Sequence, residues 1–423
     1  MTKKYILKNT TKTRPKKAGE VETYLAPRPP SKGKIIGLDC HPDTFTAAVF
    51  VGQTPHDAKK ISSRENLGLE ALLEWAGREF GPKDIFLLEA GSNSFEVCKR
   101  LGAQGLNACV LESCHVGKHA KTYADNDKMA AARIALVYLA GNAPCVWVPD
   151  ERSRERRELL HAYNKAVAEH TAATNGLKAY LNGHGVRLSK RNPETQETRK
   201  WVLQQGEWSD LQKHILGEHF DNIVHCKERR KRLYRLIGQE MTDDTMMLRC
   251  MKLLGVGIVS AFGLLAVIGD IGRFHSPEKL VAYIGLNPGQ RQSGKGKSIR
   301  IGVGKRGRSD IRNLLVQGAQ AVLRMGKHSP LGQWGWKLFA RKGNRNKAVA
   351  AVARKMLVQV WHLLQGHPTA DSESGKSFTA KLQKLAVVLG TSLRTKLSLG
   401  KSVTQCVSEL RQRSLRPAPC PVP

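Results

Sequence analysis

The apolar and polar positions in the first third of the chain predict a mixed α/β domain. Short apolar runs typical of buried strands occur in KIIGLD, TFTAAVFV, DIFLLEA and LNACVLE. Between the second and third runs, residues 67–80 place their leucines and Trp75 largely on one helical face. Further helices are predicted after the GSN turn at Ser94 and over MAAARIALVYLAG. Strands that alternate with helices predict an α/β domain of about 110 residues.

The next hundred residues follow a helical pattern rich in charge. From Asp150 to about Met241, apolar residues recur near heptad spacing among many Arg, Lys and Glu residues. A second helical run, CKERRKRLYRLIGQEM, lies beyond the interrupting stretch SKRNPETQETRK. We predict long helices that form an arm or a coiled-coil hairpin, with a small inserted element as an option for the connection.

A third region, residues 248–365, is predicted to be mostly helical. Apolar runs flank Gly255-Val256-Gly257 in the manner of a helix-hairpin-helix, whose turn aims backbone N–H groups at a DNA phosphate. A short glycine turn that only lets two helices pack is the alternative. Ser276-Pro277 predicts the start of a short helix, and NKAVAAVARKMLVQVWHLL predicts a long one.

Charge narrows the class of partner. The 423 residues carry 69 Lys and Arg against 36 Asp and Glu, a net charge of +33. A chain this basic is expected to bind a polyanion, with nucleic acid first and an anionic membrane surface second. No run approaches the roughly 20 apolar residues of a membrane helix, and the basic N-terminus lacks the apolar core of a secretory signal. Nine unpatterned cysteines indicate neither a disulfide framework nor a zinc ribbon, which favours a reducing cytoplasm.

These patterns divide the chain into five segments. The predicted segments are a basic disordered arm over 1–33, an α/β domain over 34–149, a helical coiled-coil arm over 150–245, a mostly helical domain over 246–365 and a flexible tail over 366–423 with one helix in FTAKLQKLAVVL.

Acidic residues stand at predicted element ends in this basic protein. Asp39 and Glu89 end strands, and Asp125 and Asp127 precede a helix. Neighbouring strands that end at one sheet edge bring such carboxylates together, where they can bind Mg²⁺. Taken singly, each is better explained as a cap or surface carboxylate. His41, His115, His119 and Cys114 match no recognised zinc spacing, so a transition-metal site there ranks below a structural role.

A glycine-rich basic loop, GLNPGQRQSGKGKSIRIGVGKRGRSDIR, carries the most informative chemistry. Its glycines allow close backbone approach to a ligand, and its spacing is not that of a nucleotide-binding P-loop. Ser293 lies among cations that would stabilise charge on a phosphate, as a nucleophile or as a phosphate contact, with Ser298 and Ser309 as competitors. The candidate nucleic-acid-binding residues are Arg291, Lys295, Lys297, Arg300, Lys305, Arg306 and Arg308.

These motifs, in this order, resemble the RNA-guided insertion-sequence transposases that combine a DEDD RuvC-like domain with a C-terminal serine recombinase-like domain. The resemblance spans about residues 34–325 and is carried by KIIGLD, DIFLLEA, the NDK segment, LLGVGIVSAFGLLAVIGDIGRF and LVAYIGLNPGQRQSGKGKSIRIGVGKRG. It implies a RuvC-like RNase H fold over 34–149 that binds Mg²⁺ through Asp39, Glu89 and Asp127.

The resemblance also implies an activity and partners. Ser293 would attack DNA and form a covalent phosphoserine link, so that strands exchange without free double-strand breaks. A noncoding guide RNA would pair with donor and target DNA, and the protein would act as a homo-oligomer, dimer or tetramer. A bacterial cytoplasmic, nucleoid-associated location follows from such a role.

The chain departs from the family pattern at the fourth acid. The family spacing Asp-x-x-Asp places Ala130 where the last carboxylate is expected. Asp125 would then substitute, or three carboxylates would hold the metal, with Asp43 and Glu96 as more distant possibilities.

Three functions follow from these predictions. The preferred one is a site-specific DNA recombinase that moves an insertion sequence. A metal-dependent nuclease or Holliday-junction resolvase would use the carboxylates alone, with the basic loop as a clamp. A binding protein without catalysis is the third.

Overall fold

The computed structural model describes residues 33–117, 126–141, 144–291, 299–304, 306–325, 329–367 and 375–416. The chain divides into two compact units, residues 1–148 and 149–423. All but the last residue of the predicted basic arm lies outside the described residues. Among the helices that are described, none has an apolar stretch long enough to cross a bilayer.

The N-terminal unit is built on a five-stranded mixed sheet in the order β3-β2-β1-β4-β5. β1, β2 and β3 are antiparallel neighbours, whereas β1, β4 and β5 run parallel. The strands are β1 (Ile35–Cys40), β2 (Phe45–Val51), β3 (Lys59–Leu67), β4 (Ile85–Glu89) and β5 (Asn107–Leu111). The four strands that the apolar runs predict are confirmed, and the mixed sheet is consistent with a RuvC-like fold.

Helices cover both faces of this sheet, because β1 and β4 are apolar on both sides. One face packs on α1 (Leu69–Glu79) and α2 (Ser94–Ala103), and the other packs on α4 (Asp127–Leu139). A short helix, α3 (Ser113–Gly117), follows β5. The two cores hold the sheet as the rigid centre of the unit.

Two features of this unit are absent from the sequence prediction. β3 is almost wholly exposed and reads KKISSRENL, so no apolar alternation marks it, and its strand character comes from pairing with β2. A disulfide joins Cys109 of β5 to Cys145, where the chain pairs with Leu111. The cysteine pattern predicts no disulfide framework, so this single pair is not anticipated by the sequence.

The arm consists of two long helices, α5 (Glu151–Gly183) and α7 (Asp210–Thr242), with α6 (Gln196–Gln204) as a small inserted element. The two helices are antiparallel, since residue numbers that rise along α5 pair with residue numbers that fall along α7. The pairs are Arg156 with Glu240, Tyr163 with Tyr234 and Glu169 with Arg229. Each has 33 residues, which at 1.5 Å per residue is about 50 Å. A second small core closes the far end around Trp208 and Phe220.

The rest of the second unit is helical apart from one hairpin. Its elements are α8 (Thr245–Cys250), α9 (Ile258–Ile268), a 3₁₀ turn (Ile271–Arg273), α10 (Pro277–Ile284), β6 (Pro288–Arg291), β7 (Ile299–Val303), α11 (Ser309–Met325), α12 (Pro330–Lys342), α13 (Arg345–Leu364), α14 (Gly375–Lys396) and α15 (Val403–Arg413). Leu160 and Ile237 at the root of the arm lie in the same core as α9, α11 and α13. The arm and the helical region therefore belong to one unit.

The segment after Gln365 differs from its prediction as a flexible tail. Over residues 375–416 it forms α14 and α15, and Phe378, Leu382 and Cys406 are buried in the core of the second unit. Most of its described Ser and Lys residues are exposed, and in the sequence they obscure the apolar stripe that packs. This part of the predicted tail is therefore a structural element of the unit.

Candidate active site

Two predicted acids lie side by side at the edge of the sheet. β1 and β4 are parallel neighbours with Leu38 opposite Leu88, and the next residue in each strand is the acid, Asp39 or Glu89. Neighbouring strands are about 4.8 Å apart. The backbone ladder therefore fixes both carboxylates at one end of the sheet.

The third acid arrives on a helix. Asp127 is the first residue of α4, and the Asn126 side chain caps that helix by accepting a hydrogen bond from the Met129 amide at 2.9 Å. α4 lies very close to β1, since a Cβ built on Gly37 would meet the carbonyl oxygen of Ala131 at 2.0 Å. A glycine in β1 thus allows the helix to bring Asp127 to Asp39.

The group that forms there is two carboxylates and an imidazole. His41 Nε2 lies 3.3 Å from Asp39 Oδ2 and 3.3 Å from Asp127 Oδ1, and one ligand atom from each of the three lies within 4.8 Å of the others. The Asp39 side chain is 20% exposed and the other two about half exposed, so the group is open to solvent. Among described residues, Glu89 is outside this close trio, and Asp125 lies beyond the described range.

His41 is held in place through its backbone. Its amide donates to the Thr44 carbonyl at 3.0 Å, and its own carbonyl accepts a hydrogen bond from Asn93 Nδ2 at 2.7 Å. Asn93 belongs to the GSN turn that precedes α2, so this bond ties the loop after β1 to the loop after β4. The Asn93 Oδ1 is buried and has no hydrogen-bond partner among the described residues.

The sequence analysis groups His41 with His115, His119 and Cys114, whereas the structure places it beside Asp39 and Asp127. His115 contacts Glu112 instead, Cys114 is an exposed free thiol, and His119 lies outside the described residues. The pattern that would have found His41 is its position two residues after Asp39, in the tight turn that follows a strand. Proximity in sequence to a strand-end acid is a better guide here than grouping all nearby histidines.

The neighbouring thiol is unsuited to metal binding or nucleophilic attack. Burial and, second, the charge of Asp39 raise the pKa of Cys40 to about 12. A thiolate is the reactive and metal-binding form of cysteine, so Cys40 stays protonated near neutral pH. The chemistry of this site therefore rests on oxygen and imidazole groups.

The glycine-rich basic loop is a hairpin whose base is tightly locked. Gly285 and Gly307 both have left-handed backbones, with φ of +82° and +86°, and a Cβ on Gly285 would meet the Arg306 carbonyl oxygen at 2.1 Å. Arg312 Nη1 donates to three carbonyl oxygens there, those of Ile284 at 3.5 Å, Gly285 at 3.4 Å and Arg306 at 2.7 Å. Strands β6 and β7 then extend from this base as an antiparallel pair.

The predicted residues of this loop have different placements. Arg291 and Arg300 lie in β6 and β7, while Ser293, Ser298, Lys295, Lys297 and Lys305 lie outside the described residues. Arg306 is exposed. Arg308 donates two hydrogen bonds to Asp310, at 3.1 and 2.7 Å, so its side chain already has an acidic partner. Ser309 is the first residue of α11.

Buried charge surrounds the base of this hairpin. Burial tends to raise the pKa of Tyr283, but Arg157, Arg273 and Arg308 outweigh it and lower that pKa below its ordinary value. The Arg273 guanidinium lies 4.6 Å from the centre of the Tyr283 ring. Arg157 in turn donates to the carbonyls of Ala266 and Val267 at the end of α9. These contacts join α5, α9 and α10 beneath the hairpin.

Comparison with known proteins places these two sites in one enzyme family. Residues 36–185 match the DEDD transposase family of IS110 elements, and residues 248–331 match a family described as "Transposase IS116/IS110/IS902 family". The "Transposase for insertion sequence element IS1111A" of Coxiella burnetii is 27% identical over 79% of this chain and 91% of its own length. The "Probable family 20 transposase" of Pseudomonas aeruginosa is 26% identical over 58% of this chain and 74% of its own.

The two matched regions contain the two sites described above and together cover more than half of the chain. The DEDD domain type also indicates the use of a divalent metal. The chain belongs to the IS110 family of insertion-sequence transposases, enzymes that cut and recombine DNA.

Proposed function

We propose that this transposase moves its insertion sequence with two chemistries, a divalent-metal site in the first unit and a serine nucleophile in the second. The observation that carries the proposal is the group formed by Asp39, His41 and Asp127, whose ligand atoms lie within 4.8 Å of one another. The locked hairpin that leads to Ser293 supports the second part.

The donor set fits a divalent cation. Carboxylate oxygens are the ligands that Mg²⁺ prefers, and we propose that Asp39, Glu89 and Asp127 hold it, with Asp125 as the fourth acid. His41 adds a nitrogen, a ligand more usual for transition metals than for Mg²⁺, so Mn²⁺ should also be accepted. When bound, such an ion neutralises charge that builds up on phosphate oxygens.

The serine step is a transesterification. The Oγ of Ser293 forms a bond to the phosphorus, and the bond from phosphorus to a deoxyribose oxygen breaks, so that the DNA strand becomes a phosphoserine ester. A carboxylate of the acidic site takes the serine proton, and the departing oxygen leaves as a hydroxyl after gaining a proton. Attack by the hydroxyl of another strand end reverses these bonds and restores Ser293. Arg291, Lys295, Lys297 and Arg300 would stabilise the charged phosphate.

Target choice is proposed to come from a guide RNA. The noncoding RNA would pair with donor and target DNA, while the protein holds the backbones through its excess of cations. The net charge of +33 supports extensive contact with nucleic acid. We further propose a homo-oligomer, dimer or tetramer, in the bacterial cytoplasm near the nucleoid, in which acids and serine act on one phosphate within or between subunits.

The test is to trap the protein–DNA adduct. Wild type, incubated with element-end DNA and Mg²⁺, should give a slowly migrating species on a denaturing gel, and Ser293→Ala should remove it. Ser298→Ala and Ser309→Ala are matched controls that should retain it. Continued strand cutting by Ser293→Ala without any adduct would indicate a nuclease or resolvase instead. If the adduct is lost in Ser298→Ala or Ser309→Ala but retained in Ser293→Ala, the serine replaced in that control is the nucleophile.

A further inference from the structure

A cavity of 790 Å³ lies at the root of the arm, within the second unit. Helices α5, α7, α9, α11 and α14 contribute its walls. Its cationic residues are Arg230 and Lys231 from α7 and Lys384 from α14, and its acidic residue among those described is Asp310. Ser309 and Asp310, at the end of the glycine-rich stretch, belong to its lining, whereas Asp39, His41 and Asp127 do not.

The charge in this cavity is positive even when the partners of its charged residues are counted. Arg230 lies 4.0 Å from a carboxylate oxygen of Glu194 and 3.3 Å from the His170 ring, so its charge is partly compensated. The negative charge of Asp310 is balanced by the Arg308 guanidinium, which donates two hydrogen bonds to it. Lys231 pairs with Glu228 at 2.8 Å, but both side chains are about half exposed, and such pairs contribute little in water. Lys384 is exposed and forms no ion pair with any residue that the structure describes. An anion that enters would therefore meet at least one uncompensated cation.

The N-terminus of α9 lines the same cavity. Gly257 occupies the N-cap of α9 without a side-chain cap, and Ile258, Val259 and Ser260 of the first turn line the cavity. The first three amides of a helix have no intrahelical acceptor. An anion is the natural partner for them.

The two glycines of the Gly255-Val256-Gly257 turn have different tasks. A Cβ on Gly255 would meet the carbonyl oxygen of Gly318 in α11 at 2.8 Å, so Gly255 is needed for packing. A Cβ on Gly257 would meet nothing within 4 Å among the described residues. Gly257 thus leaves the cavity side of the turn open, which is the side that an incoming ligand would approach.

A lysine from α14 holds the turn from behind. Lys381 Nζ donates to the carbonyl oxygens of Met251 at 2.8 Å, Leu253 at 3.2 Å and Val256 at 2.7 Å. Lys384 lies one helical turn further along α14 and lines the cavity. The helix that the sequence predicts as part of a flexible tail therefore fixes the turn and adds a cation to the site.

We propose that this cavity binds a backbone phosphate of DNA through Lys384, the α7 cations and the first-turn amides of α9. The inference rests on the chain acting on DNA as a transposase, and it adds a binding site at the root of the arm. The neutral donors Ser260, Asn313 and Gln317 in the wall suit phosphate oxygens, and contacts to phosphate carry no sequence information. The site should therefore bind duplex DNA regardless of sequence.

The test measures the salt dependence of binding to a 30-base-pair duplex of arbitrary sequence, by fluorescence anisotropy. Each lost phosphate contact lowers the log–log slope by about 0.9, so Lys384→Gln should lower it by about that amount. Lys384→Gln with Lys231→Gln should lower it by about twice as much. Lys376→Gln is the matched control, since Lys376 is exposed on the same helix and outside the cavity, and it should leave the slope unchanged.

Two outcomes would overturn the site. Equal slopes for Lys384→Gln and Lys376→Gln would mean that Lys384 contributes only general charge. A change seen with duplex RNA but not with DNA would assign the cavity to RNA. Both lysines are exposed, so both variants should fold, which their melting temperatures check.

A positional readout comes from cross-linking. Ser260→Cys in a background with Cys114→Ser and Cys420→Ser, carrying a photoactivatable group, should cross-link to DNA, whereas Ser408→Cys, at an exposed position of α15, should not. Equal cross-linking by both would reject the site. Neither measurement uses Ser293 or Asp39, so failure of the proposed catalytic chemistry would leave these results intact and the two failures remain distinguishable.

Discussion

The acidic site and the hairpin base both depend on a glycine that lets backbone approach backbone, but they are held together differently. In the first unit, Gly37 admits α4 to β1, and the strand ladder itself fixes Asp39 beside Glu89. In the second unit, Gly285 approaches the Arg306 carbonyl beyond the end of β7, and the Arg312 side chain donates to the carbonyls there. A ladder tolerates changes of side chain, whereas a base that needs one guanidinium and one left-handed glycine should fail when either is replaced.

The largest effect is expected at the hairpin base. Gly285→Ala adds a Cβ 2.1 Å from the Arg306 carbonyl oxygen at a φ of +82°, a backbone that costs other residues energy. The free energy of unfolding of the second unit should fall by about 4 kcal/mol, measured by urea denaturation. Gly304→Ala in the same loop meets nothing within 4 Å among described atoms, so a comparable loss there would reject the explanation.

A somewhat smaller effect is expected in the first unit. Gly37→Ala forces a Cβ against the Ala131 carbonyl oxygen, so α4 must move and carry Asp127 away. Stability should fall by about 3 kcal/mol, and Mn²⁺ affinity should fall with it, measured by calorimetry. Gly102→Ala, in α2 with open space around it, should instead be neutral or slightly stabilising. If Gly37→Ala binds Mn²⁺ as tightly as wild type, the metal site does not depend on the packing of α4 against β1.

The next largest effect is expected at Lys381, whose side chain, like that of Arg312, donates hydrogen bonds to three backbone carbonyls. Lys381→Met leaves the carbonyls of Met251, Leu253 and Val256 without their donor, so the free energy of unfolding should fall by about 2 kcal/mol. Lys376→Met removes an exposed lysine from the same helix and should change it by less than about 0.5 kcal/mol. Equal effects would show that the carbonyl contacts add nothing.

The smallest effect is a pH dependence at the start of α11. Burial tends to raise the pKa of Asp310, but hydrogen bonds from Arg308 outweigh it and lower the pKa below its ordinary value. Because the pKa of Asp310 is lower in the folded protein than in the unfolded chain, its carboxylate stabilises the fold fully above about pH 4. This contribution is lost as the pH falls through the pKa of the folded protein. Asp310→Asn should therefore cost about 1 kcal/mol at pH 7 and progressively less as the pH falls below about 4, measured by urea denaturation over a series of pH values. A pH-independent difference would contradict the ion pair.

The sequence predicts the sheet better than the contacts that finish each site. Apolar runs mark β1, β2, β4 and β5, because strands buried in a sheet carry a local pattern. β3 escapes prediction because it is exposed and polar. A helix in FTAKLQKLAVVL is predicted and lies within α14, but its place in the core of the second unit is not, because that place follows only from packing against distant residues.

The candidate site shows the same division. Asp39, Glu89 and Asp127 are predictable as element ends, and the structure brings the first and last together. His41 enters the group through the turn after β1, and the bond from Asn93 that fixes this turn spans 52 residues. The Arg312 contacts likewise reach 27 and 28 residues back to the end of α10. Such pairings follow from the folded geometry and carry no local pattern.

The central claim is that Asp39 helps to hold a divalent cation that catalysis requires, and calorimetric titration with Mn²⁺ tests it most directly. Wild type should bind the ion, and Asp39→Asn should weaken binding at least tenfold while retaining its melting temperature. Glu74→Gln, which changes an exposed acid on α1 of the same unit, should bind as wild type does. Equal Mn²⁺ affinity in wild type and Asp39→Asn would contradict the account.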